Sequence, residues 1–378
     1  MNGVVMDELR TRLSGEVILP ADDGYDDARA VFNGMIDKRP VAIARCASTA
    51  DVVTAIGFGR GHDLEIAVRC GGHSVAGLSI GDGLLVDLAG LADIAVDPGA
   101  RLARVGGGVL WGAFDEATQA HGLHTPGGRI TTTGVGGFTT GGGYGWTSSK
   151  YGLTCDNLVA AEVVTADGRI VTASEHENAD LFWGIRGGGG NFGVVTRFDF
   201  RLHELGPIVL AGLMLWPLDR ATEVFRGWRD YAEDAPDELS TGCAILTAPS
   251  EEFVPDHLQG QTAVGMPVMY VGDPDEGVAV VQPLKDLAPD VDLVQPMPYT
   301  VFQSLLDPSA PPGMRNYWRG EYMDEFGDAA LATFVERAPA VAAAGFPLSQ
   351  MTMFRIGQAV SAVPEEATAF SHRDAKYL

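Results

Sequence analysis

Glycine is concentrated in one part of this chain. Residues 71–193 hold 29 of the 49 glycines in 123 positions, which leaves 20 for the other 255. Glycine loses more backbone entropy on folding than any other residue, and in exchange it reaches positive φ and lets other groups approach bare backbone. Such density outside a repeat needs a reason. A loop-rich, flexible segment is one reading. Apolar strand-like runs between the glycines, such as Leu84–Leu88 and Leu158–Thr165, argue against simple disorder. A backbone wrapped around a large ligand accounts for both features.

Composition narrows the classes. With 378 residues, 46% hydrophobic and 20% charged, the chain is an ordinary globular one with room for about two domains of ~150 residues. Its formal charge of −24 repels phosphate backbones, so nucleic acid is not expected as a partner. No stretch reaches the ~18 uncharged apolar residues of a membrane helix, so no membrane partner is expected. The first twenty residues are charged throughout and lack an apolar h-region, which makes a cytoplasmic location the expectation. Cys46, Cys70, Cys155 and Cys243 form no C-x-x-C pair, and neither a metal site nor a disulfide framework is suggested.

Element signals divide the chain. Arg39–Ala44 and Ile66–Arg69 are short strands, and Ser48 or Thr49 can cap a helix running to about Arg60. Leu158–Thr165 and Arg169–Thr172 form a hairpin across Ala166-Asp167-Gly168. Residues 124–145 show little periodicity. Near Gly206 the glycine density returns to normal, and strands at 208–216, 239–247 and 264–271 alternate with helices at 219–233, 275–287 and 328–344. Met351–Ala362 and Asn316–Tyr322 have strand-like patterns. The domains expected are 36–206, with residues 1–35 packed on it as an extension, and 207–378.

Three glycine clusters carry chemistry. Gly188, Gly190 and Gly193 match G-x-G-x-x-G, but a dinucleotide-binding Rossmann turn follows a strand and opens a helix. Here a helix (Asp180–Ile185) precedes and a strand (Val194–Phe200) follows, so the context is inverted. Cys70–Ser74 is more informative. A strand runs into Gly71 and Gly72, whose successive amides can form a nest for a diphosphate, with Arg69 as countercharge and the Ser74 hydroxyl as donor. His73 sits where the backbone passes nearest such a ligand. The block Gly134–Gly145 adds further backbone donors and the hydroxyls of Thr139 and Thr140.

At these residues the sequence resembles the berberine-bridge-enzyme-like FAD-linked oxidoreductases, with their vanillyl-alcohol-oxidase, or PCMH-type, FAD domain. The resemblance is carried by Val68–Ser74, Gly141–Gly145, Lys150–Leu158 and Asp180–Val195, then by Met297–Thr300, Tyr317-Trp318 and Phe370–Arg373. It implies an α+β fold: a two-subdomain FAD-binding domain, plus a substrate domain of antiparallel sheet and helices. It implies FAD as cofactor, bonded covalently to His73. Cofactor-binding positions would be Arg69, Gly71, Gly72, His73, Ser74, Gly77, Gly134, Gly137, Thr140, Gly141, Gly142, Gly145, Gly193 and Val194.

Two departures follow. Many members carry a second tether, a cysteine, in a stretch that here is Gly128–Gly134, where Ile130 takes its place and cannot bond to flavin. Attachment through His73 alone is expected. Thr133 matches a position that influences oxygen access, so oxidase and dehydrogenase behaviour both stay open. Members also continue past the point matching Leu378, so the substrate domain is expected to be C-terminally truncated, without the usual catalytic base. The expected reaction moves a hydride from a substrate C–H, of alcohol or sugar type, to the flavin, and oxygen or another acceptor reoxidises it. Tyr144, Tyr317, Arg319 and Tyr322 are the substrate-facing candidates, and no metal takes part. The alternatives are a non-catalytic or impaired flavin binder and an NAD-linked Rossmann enzyme.

Overall fold

The apolar runs between the glycines are too short to stand alone and fold as sheets. The structure, a computed structural model, describes residues 3–343 and 345–378. The first sheet contains β1 (Glu16–Ile18), β2 (Ala42–Arg45), β3 (Ile66–Arg69) and β4 (Leu84–Asp87), in the order β1-β2-β4-β3. β4 pairs in parallel with β2 and β3, and β1 is added antiparallel at the β2 edge. Strands that run parallel in one sheet need a crossover, and the helix Thr49–Gly61 supplies it from β2 to β3, which flank β4. Ser48 caps that helix by accepting the Asp51 N–H at 3.2 Å. Val52, Ala55, Ile56 and Phe58 share a buried core with Ala42, Ala44, Leu84 and Val86 of the sheet.

The second sheet is antiparallel throughout. It uses β5 (Ile94–Asp97) and β6 (Leu102–Gly106) and, after the short β7 (Leu123–His124), β8 (Leu158–Val164), β9 (Ile170–Ser174) and β10 (Val194–Arg201), in the order β5-β6-β10-β8-β9. Phe198 and Phe200 of β10 bury one face against Trp111 and Phe114 of the helix Trp111–Gln119. β11 (His203–Glu204) pairs with β7 and leads into the third sheet.

That sheet has β12 (Ile208–Pro217), β13 (Leu239–Thr247), β14 (Thr262–Tyr270), β15 (Val291–Asp292), β16 (Gln295–Pro298) and β17 (Met351–Phe354), in the order β15-β12-β14-β13-β17, with β16 also on β12. β12 is an almost unbroken apolar run because both its faces are covered. Leu210, Met214 and Trp216 meet Val224, Phe225 and Trp228 of the helix Ala221–Asp234. Val209 and Ala211, on the opposite face, join Trp146, Tyr299 and Phe302 in a cluster that ties the third sheet to the glycine-rich unit. No helix among the described residues is long and apolar enough to cross a membrane.

The structure corrects three local expectations. Asn316–Tyr322 is not a strand. Its neighbourhood is tied to a loop instead, with the Asn33 side chain bonding both the N–H and the carbonyl of Asn316. A ladder needs a partner strand, and among the described residues the only pairing next to this stretch is the single bridge Met323–Tyr377. The strand from Met351 ends at Phe354, and the short helix Gln358–Ser361 follows Gly357, which packs against the Ser149 backbone. Within 124–145, Val135–Thr140 forms one short helix.

Candidate functional site

Two glycine loops distant in sequence meet at the centre of the glycine-rich unit. A Cβ on Gly71 would lie 2.5 Å from the Gly134 nitrogen and 2.7 Å from the Thr132 oxygen, so the two loops touch backbone to backbone. After that contact the chain runs through Gly72, His73, Ser74, Val75 and Ala76. None of these five backbone N–H groups has an acceptor among the described residues. A run of amides that the fold does not satisfy internally is free to bond solvent or an anion. Ser74 shapes it by accepting the Leu78 N–H at 3.1 Å.

His73 projects from this run. Its ring stacks on Phe32 at 4.3 Å and 17°. Its Nε2 lies 2.8 Å from Thr132 Oγ1. Burial holds its pKa below the usual histidine value, against a smaller opposing pull from Asp307, so the imidazole is neutral at neutral pH. The Thr132 loop is anchored in turn: Thr131 donates to the Asp307 carboxylate through its N–H (2.9 Å) and hydroxyl (2.6 Å). The segment Gly313–Asn316 clips onto residues 32–34 and brings Trp318 to 6.1 Å from Phe32.

Arg69 is not the free countercharge that its sequence position suggests. It is buried, donates to Asp87 at 2.8 Å and also bonds the Ala30 carbonyl. The charge is already neutralised because Arg69 and Asp87 end adjacent parallel strands at the same register. A cavity of about 510 Å³ lies at these carboxyl ends, lined by Arg69, Cys70, Gly71, Asp87, Gly108 and Leu110. The carboxyl ends of parallel strands are where such sheets hold ligands.

The second block behaves differently. Thr139 and Thr140 turn their hydroxyls back to the helix carbonyls of Val135 and Gly136, so neither is a free donor. The Thr140 carbonyl takes the N–H groups of Gly187 and Gly189. Gly142 packs on Phe370, Gly145 on the Gly127 carbonyl, and Gly193 on the Val164 carbonyl. Val194 is buried in the core shared by the first two sheets. Gly137 alone in this block has nothing within 4 Å of its Cβ direction, and Gly141 has only the Gly137 and Phe138 carbonyls at 3.3 and 3.8 Å. Gly77 packs on Ile36.

The substrate-facing candidates separate. Tyr144 donates to the Arg355 carbonyl at 2.6 Å, and the Arg129 guanidinium lies 4.9 Å from its ring. Arg129 is enclosed by Trp146 and Phe354 as well, and burial lowers its pKa to about 10. Burial raises the Tyr144 phenol, against the pull of Arg129, so it is protonated at neutral pH. Tyr322 stacks on His372 at 4.8 Å. Tyr317 is 82% exposed, and Arg319 pairs at the surface with Glu321. The four do not converge on one point. Phe32, Thr132, Arg129 and Asp307 are participants that sequence reasoning did not single out. Thr132 lay within a motif it quoted, whereas Phe32 and Asp307 carried no local signal.

The geometry now has a context. A family model described as an FAD binding domain matches residues 40–174. (R)-6-hydroxynicotine oxidase of Paenarthrobacter nicotinovorans is 40% identical over 212 residues, 55% of this chain and 46% of that protein. This match spans less than half the length of the relative. The FAD-linked oxidoreductase YvdP of Bacillus subtilis is 29% identical across 96% of this chain and 80% of its own length. Among solved structures, 6-hydroxy-D-nicotine oxidase from Arthrobacter nicotinovorans superposes with a TM-score of 0.77 at 29% identity, covering 88% of this chain and 72% of that one. A berberine-bridge-like protein of Physcomitrella patens shares the fold with a TM-score of 0.84 over 98% of this chain and 82% of that one, at 23% identity. Residues 40–174 thus form an FAD binding domain, and the relatives that this chain resembles are FAD-linked oxidoreductases and oxidases.

YvdP aligns through both expected domains, across 96% of this chain and 80% of its own length, and gives the expected truncation no support. The impaired binder and the Rossmann enzyme find none either: the relatives are named oxidases and FAD-linked oxidoreductases, and the matching domain binds FAD. The residues present fit that cofactor, because a run of amides without acceptors suits a pyrophosphate and a neutral, half-enclosed imidazole stands beside it.

Proposed function

We propose that this chain is an FAD-dependent oxidoreductase that takes a hydride from a small-molecule substrate, at a C–H next to an alcohol or amine, with the flavin held covalently through His73 and dioxygen as the acceptor. When bound, the flavin supplies the hydride-accepting chemistry. The observation that carries this reading is the run of amides from Gly72 to Ala76 beside a neutral imidazole.

In this reading residues 36–206 bind the flavin, with 1–35 packed on them, and 207–378 cover the substrate. The amides of 72–76 hold the pyrophosphate, and Gly71 and Gly134 let the two loops close around it. Gly137 leaves room beside the cofactor. Arg69 acts through Asp87 by fixing the ends of β3 and β4, not by meeting phosphate directly. Among the four substrate-facing candidates, Tyr144 is the one held by a buried cation and a fixed carbonyl, so it is placed to hydrogen-bond the reacting substrate oxygen or nitrogen. The third sheet, through Phe354 and the cluster around Trp146, keeps water from that phenol.

The test is an intact mass and a visible spectrum of denatured protein, wild type against His73→Ala. Wild type keeps its yellow colour and carries the mass of one FAD, and His73→Ala loses both while still binding FAD reversibly. Wild-type protein that sheds all colour on denaturation overturns the covalent part. Flavin that no alcohol or amine reduces in a substrate panel overturns the reaction.

A further inference from the structure

We propose that Asn33 is the positioning residue of the amide run 72–76, and that through it cofactor binding and the seating of residues 313–318 support each other. This rests on the FAD reading above and goes beyond it by giving the stretch before residue 36 a part in holding the cofactor.

An amide faces a ligand only if its peptide is held the right way round. In a planar trans peptide the C=O and N–H point in opposite directions, so a bond to the carbonyl aims the following N–H away from it. Three of the five amides are aimed in this way. The Gly72 carbonyl accepts the Phe32 N–H at 3.1 Å, which aims the N–H of His73. The Ser74 carbonyl accepts the Gly77 N–H at 3.0 Å, which aims that of Val75. The Val75 carbonyl accepts Asn33 Nδ2 at 2.8 Å, which aims that of Ala76. Phe32 and Asn33 thus orient the run from outside its own loop.

Asn33 holds a second segment with the same side chain. Its Nδ2 also donates to the Asn316 carbonyl at 2.9 Å, and its Oδ1 accepts the N–H groups of Asn316 at 2.9 Å and Met35 at 3.1 Å. The residue is 2% exposed, and two donations and two acceptances leave its amide saturated. The neighbouring backbone adds to the clip. The Phe32 carbonyl accepts the Gly313 N–H at 2.9 Å, and the Gly34 N–H donates to the Met314 carbonyl at 2.8 Å. A Cβ on Gly34 would lie 2.2 Å from the Gly313 oxygen, so the two backbones touch. Tyr317 and Trp318, just beyond the clip, are 82% and 61% exposed, so the seating of this segment depends on residues 32–34.

The coupling follows from that shared side chain. A ligand on the amide run fixes the Val75 peptide, the fixed carbonyl holds Asn33, and Asn33 held in place retains Asn316. Seating of the segment acts in the reverse direction, and the two effects are equal in free energy. Trp318 lies 6.1 Å from Phe32, the ring that stacks on His73, so the coupling reaches the side of the site next to the imidazole.

The experiment uses the full chain carrying His73→Ala, so that FAD binds reversibly, alone and with Asn33→Ala or Gly34→Ala added. FAD affinity is read by fluorescence quenching, and hydrogen exchange at 313–316 by mass spectrometry without FAD and at saturating FAD. In the parent, FAD should slow exchange at 313–316. Asn33→Ala should weaken FAD binding at least about tenfold, and saturating FAD should no longer slow that exchange. Gly34→Ala alters no amide of the run, but its methyl displaces Gly313. It should speed exchange at 313–316 and weaken FAD binding about fivefold. A merely structural role for Asn33 would leave Gly34→Ala at the parent affinity. Exchange in the parent that FAD does not change, or either variant at the parent affinity, overturns the inference. If Asn33→Ala does not fold, Gly34→Ala and the exchange of the parent decide. A parent that binds no FAD sinks the FAD reading itself, an outcome distinct from these.

Discussion

The two glycine loops of this protein use the same residue for opposite purposes. In Gly71–Ala76 the backbone turns outward, and five successive amides find no acceptor among the described residues. In Gly141–Gly145 the backbone turns inward: Gly142 accommodates Phe370, Gly143 accommodates Thr154, and Gly145 accommodates the Gly127 carbonyl. The first loop is shaped for something the chain does not supply. The second is shaped by the chain itself, and the C-terminal segment that carries Phe370 is fastened to it through Arg373. That arginine is 1% exposed and makes a bidentate pair with Asp156, both bonds at 2.8 Å. Glycine density therefore marks close approach, and a count of hydrogen bonds is what distinguishes a missing ligand from packed protein.

The contrast breaks first at Gly145. A methyl group there would overlap the Gly127 carbonyl oxygen, and a backbone atom cannot step aside as a flexible side chain can. Gly145→Ala should cost at least about 3 kcal/mol, read as a large fall in melting temperature or as insoluble protein. A stable Gly145→Ala would show that the second loop is not packed as described.

A smaller, pH-dependent effect lies under the same packed interface. Asp115 and His124 are both fully buried, 3.6 Å apart, beside Tyr299 of the third-sheet unit. Burial pushes the Asp115 carboxyl well above its usual range and pushes His124 down to about 3. Folded Asp115 keeps a proton that the unfolded chain gives up above pH ~4, so its contribution to stability falls as pH rises through that window. His124 has the opposite sign. It stays neutral in the folded protein while the unfolded chain protonates below pH ~6.5, so its contribution falls as pH drops. Between about pH 4 and 6.5 the two slopes cancel. Asp115→Asn should remove one of them: its stability relative to wild type should grow by about 1.4 kcal/mol per pH unit above pH 4, measured by urea denaturation at stepped pH. A flat difference would mean that Asp115 ionises normally and that the interface is wetter than the structure shows.

The smallest effect on stability sharpens the contrast most. Gly137 has nothing within 4 Å of its Cβ direction and lies inside the helix Val135–Thr140. Gly137→Ala should leave stability unchanged or raise it by up to about 1 kcal/mol through helix propensity. If its open side belongs to the flavin, the same variant should weaken FAD binding several-fold, measured by fluorescence quenching on titration into His73→Ala,Gly137→Ala against His73→Ala. Unchanged affinity would remove Gly137 from the cofactor site.

Much of the fold was legible in the chain. The apolar runs of β12 and β14, the Ser48 cap and the Ala166-Asp167-Gly168 turn are local signals, and local physical chemistry settles them. The helix before Gly188 and the strand after Gly193 were equally readable, and together they argued against a Rossmann turn. The Asn316–Tyr322 stretch misled because strand-like patterning says nothing about whether a partner strand is present. Arg69 misled for a related reason. A charge next to a glycine nest looks available until a residue eighteen positions away, Asp87, neutralises it.

The sequence by itself determined that this backbone must come very close to something, because glycine spacing and turn chemistry act over a few residues and are written in order along the chain. It also placed the imidazole at that spot. Only the tertiary structure decided which close approaches are protein on protein and which are left open, and only it brought Phe32, Thr132 and Asp307 around His73. Hydrogen-bond saturation, burial and ring orientation depend on groups up to hundreds of residues apart, and no local pattern records where such groups will meet.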